Sequence, residues 1–330
     1  MTSLSETSML AGSSGVTSGY TIDQSIRFND GDSAYMHRTP SGAGDRRTFT
    51  YSVWFKLGDM ATTQRMLLSV RNSDTTRDNL IFNQGSAGDY RIYLDARVSG
   101  SAHTILEPTR ALRDPSAWYH LVVSVDTTNA VSTERVRFYL NGARETAFTN
   151  ETYPSLNQQF QINNTDKHSI GRFEFSSPSG YWDGYMAEIV FIDGTALDPS
   201  SFGEYNSSNI WIPKDVSGLT FGTNGFHIDG RDSADLGDDE SGNGNDFTTS
   251  GLASHDQVFD TPTNNFCILN PIDKPSYGSY AVRNVTGVNL QVTENGDGVV
   301  QSYGMGNMAV SSGKWYYEIY TNTYPAGNAL

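Results

Sequence analysis

The chain has 330 residues, of which 37% are hydrophobic and 18% charged, and it contains 32 Gly and 11 Pro. This composition is typical of a folded, turn-rich protein and excludes collagen, coiled coils and wholesale disorder. The 37 acidic residues outnumber the 22 basic ones, and a net charge of -15 repels phosphate backbones, so we predict no nucleic-acid partner.

Cys267 is the only cysteine, so an intrachain disulfide is excluded. No stretch approaches the roughly 18 apolar residues of a membrane-spanning helix, and we predict no membrane insertion. The first segment, residues 1–19, is rich in Ser, Thr and Gly and lacks a basic start followed by an apolar stretch. We therefore expect no secretory signal there and interpret it as irregular.

From residue 20 onward, apolar and polar residues alternate with a period of two, which predicts β-strands with one buried face. In residues 48–56 the polar face carries Thr50, Ser52 and Lys56, with Trp54 among them. Asn141-Gly142 follows another such stretch and predicts a tight hairpin turn. The predicted strands cover residues 48–56, 90–98, 118–125, 135–140 and 184–192.

Helical signals are few. The strongest is at residues 198–205, where Asp198 can cap a first turn and Pro199 suits its first position, so we predict one short helix there. Many strands separated by polar turns indicate an all-β fold, a sandwich or a barrel, and we favour an antiparallel β-sandwich over residues 20–206.

The composition changes in residues 207–275. Between positions 229 and 260 nine acidic residues accompany one basic residue, Arg231, and we interpret the stretch as an acidic, turn-rich, irregular connector. The strand pattern returns in residues 287–293, 299–303 and 314–320. Residues 276–330 therefore predict the start of an incomplete second β-sandwich.

Three stretches of predicted strand follow one another in the chain: WYHLVVSVD at 118–126, VRFYLNG at 136–142 and YWDGYMAEI at 181–189. They resemble the consecutive strands of laminin-G-like modules in the concanavalin A-like lectin/glucanase superfamily. The resemblance extends over residues 20–206 and implies a concanavalin A-like jelly roll.

Other stretches resemble bacteriophage structural proteins. They are IDQSIRF at 22–28, DESGNGNDF at 239–247 and DQVFDTPTNNF at 256–266, while GKWYYE at 313–318 is similar to an early strand of a SPRY-like domain. The resemblance implies a virion protein, namely a tail fibre, head fibre or capsid decoration, with other virion proteins as partners. Residues 1–19 would then anchor the chain to the particle, and fibres of this kind suggest a trimer.

The sequence favours a protein that is not an enzyme. Glucanases of the superfamily carry two acids on one face of one strand. The only matching strand here carries Glu188, and its neighbours Val190 and Ile192 cannot ionise. We interpret His120, inside a predicted strand, as a packed or hydrogen-bonded residue and not as a base.

Calcium is the only cofactor that the sequence suggests. Asp30 and Asp32 lie in an Asn-Asp-Gly-Asp turn, and residues 238–246 form a second run of Asp, Asn and Gly, residue types whose oxygens bind calcium. The resemblance also implies calcium near a ligand-binding rim. The alternative is that these are Asx turns, in which Asp and Asn bond to their own backbone.

Tyr181, Trp182 and Asp183 form the candidate ligand-binding loop. Aromatic rings stack on sugar faces and short polar side chains orient sugar hydroxyls, so a host-surface glycan is the predicted ligand. The alternative for Trp182 is that it covers the edge of the core. We expect Arg46, Arg47, Arg135 and Arg137 to point outward, where they favour subunit contact and a homo-oligomer.

Two functions follow. The first is a non-enzymatic virion structural and adhesion protein. The second is a calcium-assisted carbohydrate-binding or glycan-depolymerising module.

Overall fold

Two antiparallel sheets, called sheet A and sheet B, face each other in a computed structural model of the chain. The structure describes residues 19–58, 60, 63–82, 90–174, 177–269, 284–286, 288, 290–293, 306–309, 311, 316 and 318. The predicted all-β antiparallel sandwich is confirmed. Among the described residues, no helix is long and apolar enough to cross a bilayer.

The strands are, in chain order, β1 (Ser25–Phe28), β2 (Tyr35–Arg38), β3 (Thr48–Leu57), β4 (Arg65–Ser73), β5 (Thr76–Phe82), β6 (Ile92–Val98), β7 (Ser101–Pro108), β8 (Trp118–Asp126), β9 (Val136–Leu140), β10 (Ala143–Arg144), β11 (Phe148–Thr152), β12 (Lys167–Ile170), β13 (Gly184–Asp193), β14 (Gly203–Tyr205), β15 (Trp211–Pro213), β16 (Phe226–Ile228), β17 (Thr248–Ser250), β18 (Gln257–Val258), β19 (Asn284–Thr286) and β20 (Gln291–Thr293). In the described part of the chain, 3-10 turns occupy Asp30–Asp32, Ser132–Glu134, Pro199–Ser201 and Ser254–Asp256.

Sheet A has the order β10-β9-β8-β3-β13-β1-β18, and β16 also pairs with β13. Sheet B has the order β11-β7-β6-β5-β4-β12-β2-β17. Two separate hairpins are β14-β15 and β19-β20.

The core lies between the two sheets. Alternation turns Phe49, Tyr51, Val53 and Phe55 of β3 inward, where all four are buried. They meet the inward side chains of sheet B, such as Leu80, Phe82, Leu94 and Leu106. Each buried apolar side chain of this size stabilises the fold by roughly 1.5–3 kcal/mol, so this interface is the main source of stability.

The outer face of sheet A is also covered, although the polar residues of β3 predicted a face exposed to water. Its polar set includes Thr50, Ser52 and Lys56, and all three are buried. Part of the cover is a second apolar cluster that joins sheet A to the chain that follows β13 (Val122, Tyr139, Val190, Ile192, Phe202, Val216 and Phe221).

The stretch predicted as an irregular connector, 207–275, is part of the sandwich over its described residues, which end at 269. It supplies β16 to sheet A beside β13, β17 to sheet B beside β2, and β18 to sheet A beside β1. Strands of two or three residues carry too little alternation to be detected, so the sequence did not predict them.

The predicted helix at 198–205 is wrong. The chain makes a 3-10 turn at Pro199–Ser201 and then enters β14, and the Asp198 side chain makes no cap hydrogen bond. Instead, its Oδ1 accepts hydrogen bonds from Arg137 (2.8 Å) and Tyr139 (3.2 Å). Asp198 Oδ1, the oxygen that would cap a helix, is therefore bound by side chains from β9 instead.

The predicted hairpin at Asn141-Gly142 is confirmed, since both residues have the positive φ values, 48° and 76°, that the tight turn requires. The predicted strand at 287–293 corresponds in part to β20. The strands predicted at 299–303 and 314–320, most of the SPRY-like region and nearly all of the N-terminal segment lie outside the described residues.

Three of the four arginines expected to face a partner are bound within the chain. Arg46 donates to Phe160 O (2.6 Å), and Arg135 donates to Pro154 O (2.9 Å). Arg137 bonds Asp198, as described above. These three side chains connect loops of the same chain, whereas Arg47 is exposed, as predicted.

We expect Ile228→Ala in β16 to lower the free energy of unfolding by about 2–5 kcal/mol, because Ile228 is fully buried in the core and its truncation leaves a cavity. Denaturant unfolding followed by circular dichroism measures this. Phe259→Ala is the matched control from the same acidic stretch, because Phe259 is 62% exposed, and it should change stability by less than about 0.5 kcal/mol. Equal effects would contradict the packing of this stretch against the sandwich.

Candidate functional site

A group of aromatic side chains lies on the outer face of sheet B, near the edge where β2 runs. Met36 points into the core, so its neighbours Tyr35 and His37 point outward, and both are half-buried. Their rings stack with centroids 5.6 Å apart, and Tyr35 also lies 6.3 Å from Tyr181. We call Tyr35, His37, Arg172 and Tyr181 the Tyr35 rim.

Arg172 holds the Tyr35 ring from one side. Its guanidinium carbon lies 3.7 Å from the ring centroid, a cation–π contact, and its Nη2 donates to Glu174 Oε2 at 2.7 Å. Burial, together with the nearby cations Lys167 and Arg172, lowers the pKa of His37. The rim therefore presents a neutral imidazole beside two tyrosines at neutral pH.

The segment between β12 and β13, residues 171–183, places Tyr181 on this face, and we call it the strap. Gly171 and Gly180 allow its bends, with φ values of 88° and 61°. The strap is attached to β4 by the Met66 amide, which donates to Gly180 O at 3.0 Å, and by Arg65, whose Nη1 donates to Tyr181 O at 2.9 Å.

Of the three predicted ligand-binding residues, Tyr181 alone lies on the rim. Trp182 is 1% exposed and packs edge-on against Phe55 and Phe82 in the core. Asp183 is 4% exposed and packs against Gly58. Successive residues of an extended chain point to opposite sides, so the strap turns Tyr181 outward and Trp182 inward. The packing role that the sequence left open for Trp182 is the one that the structure shows.

The predicted calcium residues Asp30 and Asp32 lie in a 3-10 turn whose cap is Asn29. Asp30 Oδ2 lies 2.9 Å from Arg65 Nη2, and Asp32 Oδ2 accepts a hydrogen bond from Asn29 Nδ2 at 2.6 Å. A guanidinium beside one carboxylate and an amide donor beside the other do not fit a calcium ion in this arrangement. Calcium binding stays a prediction. Arg65 contacts both Asp30 and Tyr181, so the predicted calcium turn and the predicted ligand-binding loop lie next to the same side chain.

The second acidic run is organised around the Asp239 carboxylate. Oδ1 accepts from the amides of His227 (2.8 Å) and Ser241 (3.0 Å), and Oδ2 accepts from the amide of Asn245 (2.8 Å). These are the Asx-type contacts of the alternative interpretation. Among the described residues, no group of three or more His, Cys, Asp or Glu side chains has the arrangement of a metal site.

His120 is a buried bridge between two elements, as the sequence suggested. Trp211 Nε1 donates to its Nδ1 at 3.0 Å, so the ring proton is on Nε2, which lies 2.8 Å from Ser52 Oγ. Burial lowers the pKa of His120 to about 3. A ring with this tautomer donates to Ser52 and cannot take its proton, so the pair is not a nucleophile and base.

Glu188 lies at a β-bulge of β13 with a φ of 48°, a strained conformation for a residue other than glycine. Its Oε2 lies 2.7 Å from His227 Nε2, and its Oε1 accepts from the Tyr20 hydroxyl at 3.0 Å. Burial alone would lower the pKa of His227, but the hydrogen bond and charge of Glu188 outweigh it and raise that pKa. Both oxygens of the one candidate acid are therefore engaged.

A family model described as the concanavalin A-like lectin/glucanases superfamily matches residues 29–200. The chain belongs to this superfamily. The match ends before β14, so the superfamily module here is extended by the three added strands β16, β17 and β18. No curated protein matches the chain in sequence.

Several solved structures resemble the superfamily module. A candidate carbohydrate-binding protein from Bacteroides ovatus is 15% identical, with 70% of this chain and 58% of that chain covered and a TM-score of 0.39. The heptameric SAP-like pentraxin of Limulus polyphemus is 14% identical, with 53% and 78% covered and a TM-score of 0.39. Domains LG4-5 of the mouse laminin alpha1 chain are 12% identical, with 53% and 46% covered and a TM-score of 0.39. The family assignment rests on the sequence match.

Sequence reasoning missed most of the rim. Tyr35 and His37 lie in a four-residue strand that the pattern did not detect, and Arg172 meets Tyr35 only because β12 pairs with β2. The pairing of Glu188 with His227 was missed for the same reason, since His227 lies in the stretch interpreted as a connector.

We expect the stability of the fold to decrease as the pH falls below about 6.5. The unfolded chain binds a proton on His120 near the ordinary histidine pKa of about 6.5, whereas the folded chain resists until about pH 3. Between these values the unfolded state binds more protons, which costs at most about 1.4 kcal/mol per pH unit. His120→Gln should flatten the fall of Tm between pH 6.5 and 4.

The control is His255→Gln, at an exposed ring, which should leave the pH profile unchanged. A His120→Gln profile that parallels the parent protein would contradict the assignment.

Proposed function

We propose that this chain is a non-catalytic glycan-binding and adhesion protein of a bacteriophage particle, with the Tyr35 rim as its ligand-contacting surface. The observation that carries the proposal is the stacked Tyr35–His37 pair, held by Arg172 beside Tyr181. Membership of a lectin-containing superfamily supports it.

The rim has the chemistry that sugars require. The C–H faces of a pyranose ring pack on aromatic rings, while a tyrosine hydroxyl and a neutral imidazole bind sugar hydroxyls. Arg172 fixes the Tyr35 ring, and Arg65 fixes the backbone of Tyr181. A surface that is ordered before binding loses little entropy when the ligand arrives.

Glu188, the candidate catalytic acid, is hydrogen-bonded through both carboxylate oxygens, which supports a binding role without catalysis. Glycoside hydrolysis needs a pair of carboxyl groups, one to donate a proton and the other to act as nucleophile or base. Glu188 bonds Tyr20 and His227 instead, and its strand neighbours Val190 and Ile192 lie in the apolar cluster on the outer face of sheet A.

The virion setting is supported by the stretches at 22–28, 239–247 and 256–266 that resemble bacteriophage structural proteins. In this setting residues 1–19 anchor the chain to the particle, the sandwich projects outward, and three copies assemble. The partners are other virion proteins and a glycan of the host surface.

Tyr35→Ala and Tyr181→Ala should each weaken glycan binding by roughly 3- to 10-fold, the size expected for one aromatic stacking contact. Tyr205→Ala is the control, since Tyr205 is exposed on β14, away from the rim. A glycan array identifies the ligand, and titration calorimetry with the best glycan measures the change. Equal binding by all four proteins would contradict the rim assignment.

The same array, repeated with a chelator, tests calcium. Binding that is lost with chelator and restored by calcium would favour the calcium-assisted lectin. A reducing-sugar assay on the bound glycan tests catalysis, and sugar release would overturn the non-catalytic assignment.

Deletion of residues 1–19 should abolish incorporation into particles and leave the sandwich folded. Immunoblots of purified particles measure incorporation, and circular dichroism of the isolated protein reports the fold. Particles that carry the truncated protein at full occupancy would contradict the anchoring role.

A further inference from the structure

Lys56 is a buried amine that the proposed function does not use. It lies on the outer face of β3 and its side chain is 0% exposed. A buried lysine needs strong compensation, because transfer of an ammonium out of water is costly.

Three oxygens surround the Lys56 amine at hydrogen-bond distance. Nζ lies 2.7 Å from Asp260 Oδ2, 2.7 Å from the amide oxygen Oδ1 of Asn265, and 2.7 Å from the backbone oxygen of Phe266. All three acceptors belong to the segment that follows β18. The amine thus touches both a carboxylate and a carboxamide.

The two acceptor side chains are held in place by other contacts. Asp260 Oδ1 accepts from Trp118 Nε1 at 3.0 Å and from the Phe266 amide at 3.2 Å. The Asn265 amide nitrogen donates to Ser116 O at 2.8 Å. The carboxamide therefore keeps its carbonyl oxygen toward Lys56.

The surroundings act on the Lys56 amine in both directions. The Tyr185 ring lies 5.8 Å from Nζ, a cation–π contact that favours the ammonium. Burial lowers the pKa of Lys56, although the Asp260 carboxylate acts in the opposite direction. Transfer of one proton from the ammonium to the carboxylate, across the 2.7 Å contact, leaves a nucleophilic amine next to an amide carbonyl.

We propose that Lys56 and Asn265 form an intramolecular isopeptide bond, with Asp260 as the proton-transfer group. Lys56 passes one proton to Asp260, and the freed lone pair on Nζ attacks Cγ of Asn265. Asp260 moves a proton from Nζ to Nδ2, the Cγ–Nδ2 bond breaks, and ammonia leaves, taking up the first proton as ammonium. The products are a secondary amide, ammonium and an Asp260 carboxylate, and no oxidant is required.

Asn265 is the acyl partner because its carbonyl is neutral and therefore electrophilic. The Asp260 carboxylate is an anion and therefore a poor target for attack, and its Oδ2 lies 2.7 Å from Nζ, within reach of the amine proton. The amine and the carboxamide are already in contact, which is the proximity that such a reaction needs.

The bond would join β3 to the segment after β18, across residues 209 positions apart in the chain. It would attach the segment after β18 covalently to the outer face of sheet A. A protein that holds a particle to a host surface under force benefits from such a closure, but the bond is independent of any glycan binding.

Intact-mass spectrometry of the denatured full chain tests the proposal. We expect the mass to fall short of the sequence mass by one ammonia, and a tryptic digest to contain one branched species that joins the Lys56 and Asn265 peptides. An unchanged mass would overturn the proposal. A loss of water would make Asp260 the acyl partner and overturn it as well, as would an ammonia loss confined to one linear peptide, such as a succinimide at Asn141.

Asn265→Ala and Asp260→Asn should each restore the full sequence mass, whereas Lys214→Arg, which changes an exposed lysine, should keep the ammonia loss. The measurement on the parent protein stands even if a variant fails to fold. An Asp260→Asn protein that folds by circular dichroism and still loses ammonia in the branched peptide would overturn the role of Asp260.

Discussion

The contact of the buried Lys56 amine with Asp260 and Asn265 is the one on which the arrangement of the molecule depends. It lies on a face of β3 that an isolated sandwich would expose to water. In a chain without the Lys56–Asn265 bond, loss of Asp260 would leave an uncompensated buried charge, at a cost of about 3–5 kcal/mol. The segment that carries Asp260 must therefore stay packed against sheet A. The strands β16, β17 and β18 precede this segment in the chain and are held on the sandwich with it.

The two outer faces of the sandwich consequently have different roles. On sheet A, the groups that could do chemistry are buried and satisfied: His120 bridges Ser52 and Trp211, and Glu188 bridges Tyr20 and His227. On sheet B, Phe173 covers Met66, Ile81 and Tyr93, while Tyr35, His37 and Tyr181 stay half-buried.

Part of this was predictable. The strands β3 and β9 alternate, β8 is a nearly continuous apolar run, and the turn at Asn141-Gly142 has a specific backbone requirement, so local sequence identifies them. The strands β4 and β5 were not predicted, because they mix charged, polar and apolar residues. Their charged residues Arg71 and Arg77 form ion pairs with Asp74 and Asp95. The sequence placed Tyr181 in a candidate binding loop and left the core position of Trp182 open as an alternative, but it did not predict that Asp183 is buried.

The sequence by itself determined the all-β class, the superfamily and the positions of the long strands, because these depend on alternation and on turns of a few residues. Only the tertiary structure decided which polar residues are buried, which aromatic rings meet at the rim, and that the acidic stretch belongs to the sandwich. Those outcomes depend on contacts between residues up to 241 positions apart, such as Ile22 with Thr263, and a local pattern carries no information about such a distance.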